Sequence, residues 1–231
     1  VFFDGEKRPA SEPEAMTVSD IQSTIADYQK AAENAREAGF DGVEIHAANG
    51  YLIDQFIRDK TNLRDDEYGG SIENRLRFLK EVTRAVLKVW DASQVGIRLS
   101  PVGNQNDIAD SDPLATFREV INFLNPLNLA YLHMVERFPG MPASNEDLAT
   151  LVTLRELWQG FYIANGDYDY LSAKQAVESG YADAVAFGRP YIANPDLALR
   201  LEKGVALNEP DPDTFYAGEE KGYIDYPFYS E

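Results

Sequence analysis

The segment Glu44-Ile-His-Ala-Ala-Asn-Gly-Tyr-Leu52 places an imidazole, a carboxamide and a phenol close together in the chain. His46 and Asn49 can both donate hydrogen bonds. Such a pair can hold an oxygen that is gaining negative charge, and the phenol of Tyr51 can deliver a proton to carbon. Alone, His46 would read as a structural histidine, Asn49-Gly50 as a turn dipeptide and Tyr51 as a packing aromatic. Their spacing favours chemistry over all three. His133, in the middle of an apolar run, reads as structural.

Further candidates follow from position. Arg98 falls on the polar side of the alternating run Val95–Ser100, opposite Val95, Ile97 and Leu99. A buried guanidinium needs an anionic partner. Either Glu44, on the same polar side, or a cofactor that becomes anionic during turnover could supply one. Gly166 and Gly188-Arg189 follow the last two predicted strands, where α/β barrels commonly hold phosphate. Glycine lets backbone N–H groups approach phosphate oxygens and Arg189 adds a bidentate fork. Glycine as a plain turn before a helix is the competing reading. His46, Arg98, Gly166 and Arg189 all sit at or just past strand ends.

These residues need a scaffold, and the periodicities supply one. Residues 1–16, with Pro9 and Pro13, read as a loop. A helix is predicted from Ser19, with Gln22 completing a capping box and Gly39 as the stop. Ile21, Ile25, Tyr28, Ala32 and Ala35 form its apolar stripe. Strand Asp41–His46 follows, then a polar loop Asp59–Gly70, a helix from Ile72 to Trp90 and strand Val95–Ser100. Asp112-Pro113 starts a helix whose buried stripe is Leu114, Phe117, Ile121 and Leu124. Strand Leu129–Val135, a helix over Glu146–Trp158, strand Phe161–Asn165 and a helix ending at Gly180 come next. Strand Ala184–Phe187 leads to a short helix between Asn194-Pro195 and Gly204. The tail, 205–231, reads as irregular. Five βα units in succession predict a parallel sheet with helices outside. Strands polar on one side suit a barrel lumen, since a doubly wound sheet would be apolar on both. The expectation is a single α/β domain over 1–231, an incomplete (β/α)8 TIM barrel with units over 17–204.

Composition removes several alternatives. Of 231 residues, 39 are acidic and 21 basic, for a net charge of −18. That balance argues against nucleic acid and anionic membranes as partners, so any phosphate must be held by a local site. With no cysteine, disulfides and iron–sulfur centres are excluded, and two histidines make a multi-histidine zinc site improbable. No apolar run approaches the ~20 residues of a membrane span, and the N-terminus lacks the layout of a signal peptide. A cytoplasmic protein is the expectation. No lysine at a strand end offers a Schiff base, which counts against an aldolase.

The segments Glu44–Leu52, Asp66-Glu-Tyr-Gly-Gly-Ser-Ile-Glu-Asn-Arg75, Gly96-Ile-Arg-Leu-Ser-Pro101, Tyr131-Leu-His-Met-Val-Glu136, Ala186-Phe-Gly-Arg189 and Gly222-Tyr-Ile-Asp-Tyr-Pro227 together resemble the Old Yellow Enzyme family. These are FMN-dependent ene-reductases on a (β/α)8 barrel. The resemblance runs from about Ile21 to the C-terminus. It implies that His46 and Asn49 bind the carbonyl or nitro oxygen of an activated alkene and that Tyr51 is the proton donor. Arg98 would contact the flavin pyrimidine, and Gly166, Asp167, Gly188 and Arg189 would hold the FMN phosphate. Phe215 would line the flavin and Tyr216 the substrate pocket. NADPH is the implied reductant, with hydride reaching the β-carbon from flavin N5. Family members carry further βα units ahead of this point, so a truncated, catalytically silent chain or an interaction module is the second expectation. Asp167 also departs from the pattern, since a carboxylate beside a phosphate must turn outward.

Overall fold

A computed structural model describes residues 2–3, 6–7, 11–103, 105–138, 143–216 and 218–230. The chain opens with an antiparallel ladder of β1 (Phe2–Phe3) and β2 (Glu6–Lys7), where the sequence reading expected loop. The β preference of adjacent aromatics outweighs the nearby prolines there. Helix α1 (Val18–Glu37) is capped by Thr17, whose side chain and Asp20 form a reciprocal box. Asp20 at the third helical position satisfies the cap better than the expected Ser19–Gln22 pair. Gln22 instead donates to the Tyr68 hydroxyl at 2.6 Å.

Strand β3 (Val43–Ala47) leads into α2 (Leu52–Ile57), a helix absent from the sequence reading. Its signal was present in the apolar spacing of Leu52, Ile53, Phe56 and Ile57. The helix expected over Ile72–Trp90 is two pieces, α3 (Ile72–Arg75) and α4 (Arg77–Leu87), joined at Leu76. The break turns Arg75 into the interior, where it meets Asp110 at 3.1 Å. Past α4, Trp90 Nε1 donates to the Ala32 carbonyl at 3.0 Å and so ties the turn to α1.

Strands β4 (Val95–Leu99), β5 (Tyr131–Val135), β6 (Tyr162–Asn165) and β7 (Ala184–Ala186) then alternate with α5 (Pro113–Leu124), α6 (Asn145–Leu157) and α7 (Tyr170–Glu178). After β7 come α8 (Arg189–Ala193), also unexpected, and α9 (Leu197–Lys203). The sheet order is β3-β4-β5-β6-β7, all parallel. Each strand is shorter than its periodicity implied because residues such as Asp41, Leu129, Phe161 and Phe187 lie outside the ladder. Among its described residues the tail carries one regular element, a short 3-10 turn, Pro212–Thr214.

Alternation along the strands separates the two faces. Ile45, Ile97, Leu99, Leu132, Met134 and Ala164 are buried toward the helices, against Phe78, Val82, Phe117, Ile121 and Leu154. Glu44, His46, Arg98, Tyr131, His133 and Asn165 occupy the opposite, concave face. The fold thus presents its polar row on the inside of an arc. Gly96 belongs to that face because Tyr131 covers it: a Cβ there would fall within the Tyr131 ring. Gly96→Ala is therefore expected to destabilise the chain by ~1–3 kcal/mol through overpacking, read as a lowered midpoint in urea unfolding with unchanged m-value.

Candidate active site

The loop after β3 is held by a buried ion pair. Asp54 on α2 and Arg58, the extended residue that ends it, meet at 2.9 Å, both essentially inaccessible to solvent. Asp54 Oδ2 also accepts from the Gly50 amide at 3.0 Å and the Ser100 hydroxyl at 3.2 Å. Ser100 Oγ in turn accepts from the Asn49 amide at 2.7 Å. Arg58 donates onward to the carbonyls of Ser100 and Pro101 and lies over the Phe117 ring. These bonds fix the left-handed backbone of Asn49 (φ 59°) and Gly50 (φ 75°), a conformation that asparagine and glycine tolerate best. Tyr51 caps α2 through its backbone, leaving its ring exposed and 5.3 Å, centre to centre, from the ring of His46. The imidazole, carboxamide and phenol singled out in the sequence therefore lie in one small region.

Parallel register sets His46, Arg98 and His133 side by side on successive strands. Arg98 does not bond to Glu44, one of the two anionic partners that the sequence left open. Its Nη2 donates to Asn165 Oδ1 at 2.8 Å, and its Nε is buried without a partner. Glu44 instead lies 2.9 Å from His133 Nδ1. Burial would raise the Glu44 carboxyl, but the His133 hydrogen bond and charge, with Tyr131 and Arg98, bring it below the usual carboxylate range. An ionised carboxylate only accepts, so Nδ1 is the protonated nitrogen of His133. Burial, followed by the Arg98 charge, lowers the pKa of His46. His46 is consequently a neutral imidazole with one N–H to give at neutral pH.

The opposite side of the arc supplies the glycine-rich turns. Gly166 (φ 132°) packs against the Arg137 backbone so closely that a Cβ would reach within 2.5 Å of its nitrogen. Asp167 is left-handed and exposed. At Gly188 a Cβ would meet nothing within 4 Å, so no contact of this chain demands glycine there. Gly188 and Arg189 open α8, in which Pro190 has no amide hydrogen and the Tyr191 amide donates to the Gly188 carbonyl at 3.0 Å. The segment after β6 is steadied by Glu136, a buried carboxylate that accepts from the hydroxyls of Tyr162, Tyr168 and Tyr181, each at 2.6 Å.

One cavity of about 530 Å³ brings these parts together. Asn49 and Tyr51 line one side, Gly166, Asp167, Gly188 and Arg189 the other, with Arg98 between them. His46, Phe215 and Tyr216 are not among its lining residues; His46 lies beside Tyr51, whereas Tyr216 is fully exposed. The tail that carries them is pinned at both ends, by Arg200 to the carbonyls of Ala206 and Pro227 and by Asp196 to the Tyr229 amide. Sequence reasoning missed Asn165, Arg137 and Tyr168, which also line the cavity. Asn165 and Arg137 lie at or just past strand ends, so the rule that found Arg98 would have found them. A partnerless Arg98 Nε and a Gly188 open to close approach fit a phosphorylated aromatic ligand such as FMN.

The sequence matches the NADH:flavin oxidoreductase / NADH oxidase family over residues 4–208. The chain belongs to this family, the one its motifs resemble under the name Old Yellow Enzyme. It is 46% identical over 224 residues to a probable flavin mononucleotide-dependent alkene reductase of Leishmania infantum, covering 97% of this chain and 60% of that protein. It is 46% identical to putative 12-oxophytodienoate reductase 11 of Oryza sativa subsp. japonica, covering 94% of this chain and 60% of that protein. Morphinone reductase superposes with a TM-score of 0.90 at 45% identity, covering 96% of this chain and 59% of the other. A second structure of that enzyme, in complex with tetrahydroNAD, superposes with a TM-score of 0.89. The chain thus spans about 60% of the length of these relatives. The arc is an incomplete (β/α)8 barrel of an FMN oxidoreductase family. No described helix is long and apolar enough to cross a membrane.

Two outcomes are expected. Asp54→Ala leaves Arg58 buried and uncompensated, which should cost ~3–5 kcal/mol, measured by chemical denaturation. The depressed His46 should titrate below the ~6.5 of free imidazole in an NMR pH series. Its contribution to stability is then complete above pH ~6.5 and is lost as pH falls through the folded-state value, because the unfolded chain takes up the proton first.

Proposed function

We propose that this site binds FMN and reduces the activated C=C bond of an α,β-unsaturated carbonyl or nitro compound. The observation that carries the reading is the cavity that Asn49 and Tyr51 line together with Arg98 and the Gly166-Asp167 and Gly188-Arg189 turns, with the His46 ring 5.3 Å from that of Tyr51 although outside the lining. Membership of an FMN oxidoreductase family and similarity to alkene reductases support it. Arg98 would hold the flavin pyrimidine edge. Gly166, Asp167, Gly188 and Arg189 would hold the phosphate through backbone amides and one guanidinium. Phe215 and Tyr216 would reach the ligand only after the 209–226 stretch moves. When bound, FMN would supply a hydride drawn from a reduced nicotinamide coenzyme, with NADPH the expected donor and NADH the alternative. On this reading residues 1–231 act as a single FMN-binding unit.

The remaining chemistry belongs to the chain. His46, kept neutral by burial and Arg98, donates one N–H to the substrate oxygen, and Asn49 adds a second donor from its carboxamide. As the β-carbon is reduced, negative charge grows on that oxygen, and the two donors stabilise it where it develops. Tyr51 gives its proton to the α-carbon. Its exposed ring leaves the phenolate open to reprotonation from solvent.

The test is to titrate the chain with FMN and follow quenching of flavin fluorescence, then assay oxidation of NADPH and NADH with cyclohexenone. Saturable FMN binding with enone-dependent turnover is expected. Tyr51→Phe should retain flavin binding and lose ~10²–10⁴-fold in alkene reduction, and Asn49→Ala should lose about 10²-fold, or ~3 kcal/mol of barrier. Absence of flavin binding would overturn the reading.

A further inference from the structure

Arg98 is held by a residue that the functional reading leaves unassigned. The Asn165 carboxamide accepts from Arg98 Nη2 at 2.8 Å through Oδ1 and donates to the Ala186 carbonyl at 2.9 Å through Nδ2. Turning the amide over would set donor against donor and acceptor against acceptor, so one orientation alone satisfies both ends. Its backbone is equally fixed, since the Asn165 carbonyl accepts from the Glu136 amide at 2.7 Å and its strand pairs on both sides. Arg98 sits on β4 opposite His133 of β5, so its side chain passes over β5 to reach β6.

The contact is charge-neutral. Asparagine accepts a guanidinium N–H without adding an anion, and Glu44, the acid that acts on Arg98, is already bonded to His133. Arg98 is thereby anchored at one nitrogen, keeps its full charge and leaves Nε buried and unpaired beside the cavity.

We propose that Asn165 is a positioning residue that holds Arg98 toward the flavin without setting a further anion against it, and so sets both FMN affinity and the ease of flavin reduction. The inference rests on FMN occupying this cavity. A reduced flavin carries more negative charge than the oxidised form. A fixed cation beside it favours reduction, and a carboxylate against that cation opposes it.

Asn165→Asp keeps the shape and the acceptor for Arg98, adds a charge and loses the donor to Ala186. Asn165→Ala removes both bonds without a charge. FMN affinity is read by fluorescence quenching and the reduction potential by dye-coupled titration with dithionite, with thermal unfolding of each variant alongside. Asn165→Ala should bind FMN roughly tenfold more weakly, the scale of one lost charge-assisted contact. Asn165→Asp should move the potential to more negative values than either the parent or Asn165→Ala, a shift that a packing role would not produce. Should Asn165→Asp fail to fold, an unchanged FMN affinity in Asn165→Ala still overturns the inference. Equal potentials in all three proteins overturn the role of Asn165 while leaving the FMN reading intact. Loss of FMN binding by the parent chain would sink the FMN reading itself and the inference with it.

Discussion

The parallel ladder dictates where chemistry can occur in this chain. A strand sends alternate side chains to opposite faces, and parallel pairing in register aligns the same phase across neighbours. His46, Arg98 and His133 are level with one another for that reason, with Glu44, Gly96 and Tyr131 one step below. A slip of one residue in β4 would exchange Arg98 for Ile97 or Leu99 and put a guanidinium among the helices. The aliphatic residues buried behind the sheet prevent the slip, so the core that stabilises the arc also aims its polar row. Asp54 and Arg58 perform the matching task for the loop, converting a buried ion pair into a fixed backbone at Asn49 and Gly50.

The charge distribution is consistent with a ligand held locally. At −18 the chain repels anions at long range, yet the cavity gathers Arg98, Arg137 and Arg189. Of these, Arg98 is committed by one nitrogen only. Its partner Asn165 spends no negative charge, whereas Glu44 is engaged by His133 and Tyr131, the latter pushed up to about 12 by burial and by Glu44.

Much of this was legible in the chain. Alternation in Val95–Ser100 revealed which face Arg98 takes, and apolar stripes marked α1 and α5. The clustering of His46, Asn49 and Tyr51 was visible because a short loop keeps sequence neighbours together. Less visible were contacts that join distant segments. Nothing local in Arg98 states whether it pairs with Glu44 or Asn165, since that depends on how far a long side chain crosses a curved sheet. Helix α2 is less visible because its six residues hold too few turns for an apolar period to stand out. Thr17 and Ser19 could each cap α1, and only the reciprocal bond from Asp20 decided between them. The Phe215–Tyr216 pair shows the reverse limit: a motif names residues, while the anchors at Arg200 and Asp196 decide where the tail carries them.

Tyr51 makes its hydrogen bonds to the fold through its main chain, while its ring lies 5.3 Å, centre to centre, from that of His46. Its amide donates to the Ala48 carbonyl and its carbonyl accepts from the Gln55 amide, while the ring projects outward and caps nothing. The hydrogen bonds that shape the loop are therefore independent of what that side chain is. On the proposed reading, evolution or an engineer could retune or silence proton delivery at this position without breaking any of them, and the outcome of the reaction could drift while the architecture stays still.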